Sequence, residues 1–187
     1  MWLRRAEAEA RAERRPLAVD WRPFSLEQVN SKTPEVKVWD HPEGRWRGVA
    51  ALAAAQAARR LDQGRFPGFH MALFEARHLH TRDLADAATL DDLAAAAGYD
   101  RAAFAAARAS AEAWREVGRD HEAAVARGVF GTPTVVFGPH ALFVKTQPVP
   151  DEESALALLD EVLDLQARAP YLLELKQPES STAPARP

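Results

Sequence analysis

One change of hydrophobic period, at Gly128, restricts this chain more than any other feature. From about residue 49 to 127 the apolar residues recur at helical spacing, and many of them are alanine. Residues 129–137 (VFGTPTVVF) are instead β-branched and aromatic, and residues 141–145 (ALFVK) repeat that character. Residues 151–166 then return to helical spacing, with Leu156, Leu159, Val162 and Leu163 on one face. A pattern that moves from period 3.6 to period 2 and back specifies helices and strands in one chain. It excludes an all-helical bundle and an all-β sandwich.

The punctuation places the elements. Residues 1–15 (MWLRRAEAEARAERR) read as an amphipathic helix with Leu3, Ala6 and Ala10 as its stripe and Trp2 beside it. Arg5 with Glu9, and Glu7 with Arg11, fall four apart on its expected solvated side. Pro16 is expected to end it. Residues 17–24 (LAVDWRPF) alternate, with Leu17, Val19 and Trp21 on one face, and predict a short strand between Pro16 and Pro23. Ser25 and Gln28 have capping-box spacing, and residues 31–47 read as a polar loop. Helices follow at 49–63, closed by Gly64, and at 66–80. A third is expected at 89–97, with Thr89 and Asp92 as its box and Gly98 as its stop. A fourth is capped by Asp100 and buries Phe104, and a fifth spans 111–127 and stops at Gly128. Gly138-Pro139-His140 is the expected turn of a hairpin.

Composition removes several function classes. The 187 residues are 47% hydrophobic and 27% charged, with 39 alanines, ordinary for a folded domain with a sizeable core. The net charge of −3 argues against nucleic acid as a partner. No apolar run reaches the roughly 18 residues of a membrane span, so no membrane partner is expected. Residues 1–15 carry five Arg and three Glu and no apolar core of a secretory signal, so a cytoplasmic location is expected. None of the six histidines makes an i, i+4 pair, and no metal is expected. There is no G-x-G-x-x-G, Walker A or G-x-S-x-G motif, and no cofactor is expected. The chain has no cysteine, so no disulfide, thiolate nucleophile or Cys-ligated metal can come from these residues.

Three segments, WRPFSLEQVN (21–30), AAGYDRAAFAAARAS (96–110) and ARGVFGTPTVVF (126–137), together resemble the DsbA-like thioredoxin family. The resemblance covers roughly residues 2–166, and GVFGTPTVVF resembles that family's cis-proline strand. A shorter likeness, ELK at Glu174, is to the mycothiol-dependent nitroreductase-like branch. What the resemblance implies is an α/β, thioredoxin-like fold with a helical insertion and without its first strand. Residues 1–46 would hold the first helix and second strand, 47–127 the insertion, 128–168 the cis-proline hairpin and final helix, and 169–187 a tail disordered at its end. It further implies a thiol-disulfide oxidoreductase acting through a mixed disulfide. Its peptide or low-molecular-weight thiol or disulfide substrate would lie against Gly131, Thr132 and Pro133. A Thr-Pro bond takes the cis form at small cost, and Pro133 has no N–H to lose from a ladder.

The departure from the family is its active site. The family's C-x-x-C lies at the start of the first helix, where the helix N-terminus favours the thiolate. Here Met1 already falls inside the part resembling that helix. The expectation is that the chain is shortened at its N-terminus; the other reading is a member that has lost its redox centre. Either way no catalytic residue is expected in this sequence. It is expected to be redox-inactive as written, or to serve as a binding module for a peptide or low-molecular-weight thiol. Ser25 follows the second expected strand and is read as a cap. Trp39, Trp46, Phe66, Phe69, Phe74 and Trp114 are read as core. The sequence leaves the oligomeric state open.

Overall fold

A computed structural model of the protein describes residues 2–44, 46–172, 174 and 175. In chain order the elements are α1 (Trp2–Ala12), α2 (Leu26–Val29), a 3₁₀ turn (Val38–Asp40), α3 (Arg47–Leu61), α4 (Phe66–His78), α5 (Ala87–Ala96), α6 (Arg101–Arg108), α7 (Ala111–Ala126), β1 (Thr134–Phe137), β2 (His140–Phe143) and α8 (Ala155–Arg168). They fall into two compact units, one of residues 19–147 and one of residues 2–18 with 148 onward.

In the larger unit α3 is the central helix and packs against α4, α5, α6 and α7. Its unbroken buried run Ala53–Ala58 explains why. Alanine is the best helix former, and its small side chain lets neighbours approach from several directions. On one side Ala54, Ala55 and Ala58 meet Phe66, Phe69, Leu73, Leu90, Tyr99 and Phe104. On the other, Val49, Ala53 and Ala57 meet Val38, Trp39, Ala113, Trp114 and Val117. The helix ends follow local chemistry. Asp100 accepts the Ala103 N–H and Ser110 that of Ala113. Glu27 reaches from α2 to accept the Gly48 and Val49 N–H groups, capping α3 in place of its own N-cap residue, Trp46.

In the smaller unit α1 lies against α8. Trp2, Ala6 and Ala10 are buried on α1, and Ala155, Leu156 and Leu159 on α8. Glu9, expected on a solvated face, accepts the Leu156 N–H at 2.9 Å and caps α8. Arg5 likewise turns inward and donates to the Pro150 carbonyl. Arg15 makes a two-pronged pair with Asp160 at 2.8 and 2.9 Å, which favours the charged form of both groups. Helix α1 ends before Pro16. Arg14 adopts a left-handed φ of 59°, Arg15 N–H bonds the Ala10 carbonyl, and Arg14 N–H bonds that of Arg11. This is a Schellman stop made without glycine.

Several sequence expectations change. Residues 17–24 form no strand, and the sheet among the described residues has two strands, β1 and β2. The alternating residues serve a helical surface instead: Trp21 packs on the Phe69 side of the core and meets His70 at 4.9 Å, and Phe24 is buried. The Trp21 carbonyl accepts from Arg59. Helix α5 starts two residues earlier than expected because Asp86, not Thr89, is its cap; Thr89 gives Asp86 both its N–H and its hydroxyl proton. The 31–47 loop contains the buried 3₁₀ turn around Trp39. Strand β1 starts at Thr134 rather than 129, and the hairpin turn is the two residues Gly138-Pro139. Gly138 has a φ of 51°, the left-handed first position that suits a two-residue hairpin. The expected disorder at the end of the 169–187 tail, and the lysine of the ELK segment, lie outside the described residues.

Candidate functional site

The Gly131-Thr132-Pro133 segment is held at both ends. Upstream, α7 stops at Ala126. Gly128, at φ 81°, turns the chain, with Gly128 N–H on the Val125 carbonyl and Val129 N–H on that of Ala124. Val129 is buried and anchors the exit. Downstream, the Pro133 carbonyl accepts the Val144 N–H at 3.0 Å, extending the β1–β2 ladder by one pair. Inside the segment the Thr134 hydroxyl donates to the Gly131 carbonyl at 2.7 Å. Arg127 donates to the Gly138 carbonyl, tying the end of α7 to the hairpin turn.

Between these anchors Gly131 is buried, Thr132 and Pro133 are exposed, and the bond joining them is cis. Among the described residues the Thr132 N–H and carbonyl have no hydrogen-bond partner. So the structure brings the three sequence-predicted residues together as one short, open stretch of backbone. Beside them are two residues that the sequence reading did not single out. Phe130 is 69% exposed and Phe143 43% exposed, and their rings stack with centroids 5.4 Å apart. A methyl group on Gly131 would meet the Phe143 ring at 3.5 Å, an ordinary contact. The signal for Phe143 was the hairpin register: a two-residue turn sets Phe143 opposite Thr134, next to the loop.

The loop contains no titratable side chain, so it can supply backbone hydrogen bonds and apolar contact and cannot itself transfer protons or electrons. Two cavities, of about 240 and 370 Å³, are lined by residues other than these. The smaller is walled by Arg22, Arg59, Arg60 and Arg119 with Glu116 and Asp120. Burial pushes the Glu116 carboxyl above its ordinary range, and its buried Oε2 has no hydrogen-bond partner among the described residues.

His121 is the other residue whose setting the sequence did not reveal. It is 4% exposed, accepts the Ser25 N–H on Nδ1 at 3.2 Å, and lies against Phe24 and Trp39. Burial, and then the charge of Lys37, lower its pKa, so the neutral ring with its proton on Nε2 is favoured. Ser25 caps α2 as expected, accepting the Gln28 N–H. Gln28 does not return the bond to Ser25; it accepts from Val38 N–H and donates to the Pro34 carbonyl. Trp39, Phe66, Phe69 and Trp114 are buried core residues. Among the described residues no helix is long and apolar enough to cross a membrane, and no three His, Cys, Asp or Glu gather as a metal-binding group.

A family model described as a DSBA-like thioredoxin domain matches residues 3–157. The uncharacterized protein Rv2286c of Mycobacterium tuberculosis is 25% identical over 181 residues, which are 96% of this chain and 75% of that protein.

Proposed function

The chain belongs to the DSBA-like thioredoxin domain family, α/β and thioredoxin-like in fold and thiol-disulfide oxidoreductase-like in type, and on that footing we propose that these residues supply the substrate-holding part of the family's chemistry without its redox centre. Thiol-disulfide exchange requires a thiolate. The only sulfur here is that of two methionines, whose thioethers cannot serve as one. The 187 residues are therefore redox-inactive by themselves.

The ligand is an extended peptide or a low-molecular-weight thiol or disulfide lying along Gly131, Thr132 and Pro133. The observation that carries this reading is the exposed Thr132, whose backbone N–H and carbonyl have no hydrogen-bond partner among the described residues, beside the Phe130–Phe143 ring pair. An edge of free backbone with an adjacent apolar contact is how proteins take an extended peptide. We read α3–α7 as the helical insertion of this fold.

Calorimetric titration of the chain with a disulfide-bridged extended peptide, and separately with glutathione disulfide, tests the proposal. One of the two should bind, and Phe130→Ala should weaken that binding by about tenfold or more, a loss of roughly 1.4 kcal/mol. Because Phe130 is exposed, the variant should keep the parent's melting temperature. Insulin reduction should run at the rate without protein. No heat from either ligand, or binding that Phe130→Ala leaves intact, overturns the proposal.

A further inference from the structure

Small residues close the seam between α3 and α7, with Ala53 and Ala57 against Ala113 and Val117. Beyond that buried seam the two helices carry the arginines and carboxylates that line the cavity of about 240 Å³. Most of these groups are paired within the larger unit. Asp120 accepts from Arg22 at 2.9 Å and from Gln56 at 3.0 Å. Arg59 donates to Asp20 and to the Trp21 carbonyl. Glu112 accepts from Arg115 and from Arg119.

Glu116 is the exception. Its Oε1 lies 3.9 Å from Arg60 Nε and 3.7 Å from Arg119 Nη2, both beyond hydrogen-bond distance. Its Oε2 is buried, and among the described residues neither oxygen has a hydrogen-bond partner. Among the same residues the Arg60 guanidinium makes no hydrogen bond, and Arg119 spends one nitrogen, Nη2, on Glu112. A guanidinium carries five N–H donors in a planar fork. Two sets of donors and one acceptor thus converge on the same space without satisfying one another. A partly buried carboxyl with both oxygens unpaired calls for a partner. Arg60, Arg115 and Arg119 stand against Glu112 and Glu116, three guanidiniums to two carboxylates. That surplus favours an anion. The volume lies below the roughly 300–1,000 Å³ of pockets that take drug-sized ligands, so the anion is small.

Glu116 narrows the choice. A carboxylate repels an anion unless that anion offers it a proton. At neutral pH inorganic phosphate keeps one O–H and sulfate keeps none. A phosphate monoester, with its second pKa at about 6, has largely lost its own. Burial makes the Glu116 carboxyl more basic, and so a better acceptor for such an O–H.

We propose that the cavity between α3 and α7 binds inorganic phosphate, with Arg60 and Arg119 donating to its oxygens and Glu116 accepting its remaining O–H. Arginine forks match the oxygen geometry of phosphate, and their hydrogen bonds to it are charge-assisted. The inference goes beyond the ligand reading above, since it rests on α3 and α7 and needs nothing at Thr132.

Calorimetric titration of the full chain with inorganic phosphate, at about pH 7.5 and constant ionic strength in chloride, tests it. One phosphate should bind per chain with a Kd below about 1 mM. Sulfate and methyl phosphate should each bind at least about tenfold more weakly. Arg60→Gln should weaken phosphate binding by about tenfold or more. It should keep the melting temperature of the phosphate-free parent, because the side chain is exposed and its ion pair is long. Glu116→Gln exchanges an acceptor for an amide that also donates, and should remove the preference for phosphate over sulfate. No heat of binding overturns the proposal. Sulfate binding the unaltered chain as tightly as phosphate overturns it too, by showing an unselective basic surface. So does an Arg60→Gln variant with the parent's affinity. If Glu116→Gln does not fold, the ratio of phosphate to sulfate affinity in the unaltered chain decides.

Discussion

Replacing His121 with phenylalanine separates two things the imidazole does. The ring fills a space between Phe24 and Trp39, at 4.6 and 5.1 Å, and phenylalanine refills most of it. What phenylalanine cannot do is accept the buried Ser25 N–H. A buried donor left without its acceptor costs about 1–3 kcal/mol. For a chain of this size each kcal/mol corresponds to roughly 2–4 °C in melting temperature. His121→Phe should therefore melt several degrees lower at neutral pH. The difference should shrink in acid. The pKa of His121 is lowered in the folded state, so below about pH 6.5 the unfolded chain binds more protons than the folded one. The stability the neutral ring contributes is thus fully present above that pH and is lost as pH falls toward the folded-state value. The loss is at most about 1.4 kcal/mol per pH unit for one proton. Chemical denaturation of both proteins from pH 8 to 5 measures it. Equal pH dependence in the two proteins would show that the His121 ring is not what titrates, and a variant as stable as its parent at pH 8 would show that the Ser25 N–H does not need its acceptor.

Three further substitutions probe the packing. A Cβ on Gly118 would stand 2.5 Å from Trp39 Nε1, so Gly118→Ala must displace a buried indole and should cost about 1–3 kcal/mol by thermal unfolding. Phe104→Ala empties a fully buried position against Phe69 and Tyr99 and should cost about 3–5 kcal/mol in a urea titration. Arg14→Gly relieves a left-handed φ at the end of α1, a strain of roughly 1–2 kcal/mol, partly offset by the greater freedom of glycine in the unfolded chain. It should raise the melting temperature by a degree or more, and a lower value would mean that the Arg14 side chain stabilises the turn.

The helical part of the fold was legible because its determinants are local. Asp100, Ser25 and Gly128 act within a few residues of where they stand, and Phe104 is buried as its spacing required. The strand expected at 17–24 failed because alternation reports two faces and not what covers them. In this chain helical residues receive Trp21 and Phe24, and among the described residues β1 pairs with β2 alone. Glu9 and Glu27 looked like surface charges because the helix ends they cap are far away in sequence. The turn into β1 at Gly131-Thr132-Pro133 is signalled by glycine and proline ahead of a β-branched run. Phe143 depends on the hairpin register, which a turn read one residue too long concealed.

As proposed, Gly131, Thr132 and Pro133 hold a ligand that these residues do not oxidise or reduce. Amide chemical shifts of the labelled chain, followed during titration with a disulfide-bridged extended peptide, test it most directly. Shifts should concentrate at Phe130, Gly131, Thr132, Thr134 and Phe143, with the peptide recovered still disulfide-bridged. Shifts confined to the arginine-lined cavity around Glu116, or a peptide recovered reduced, would contradict it.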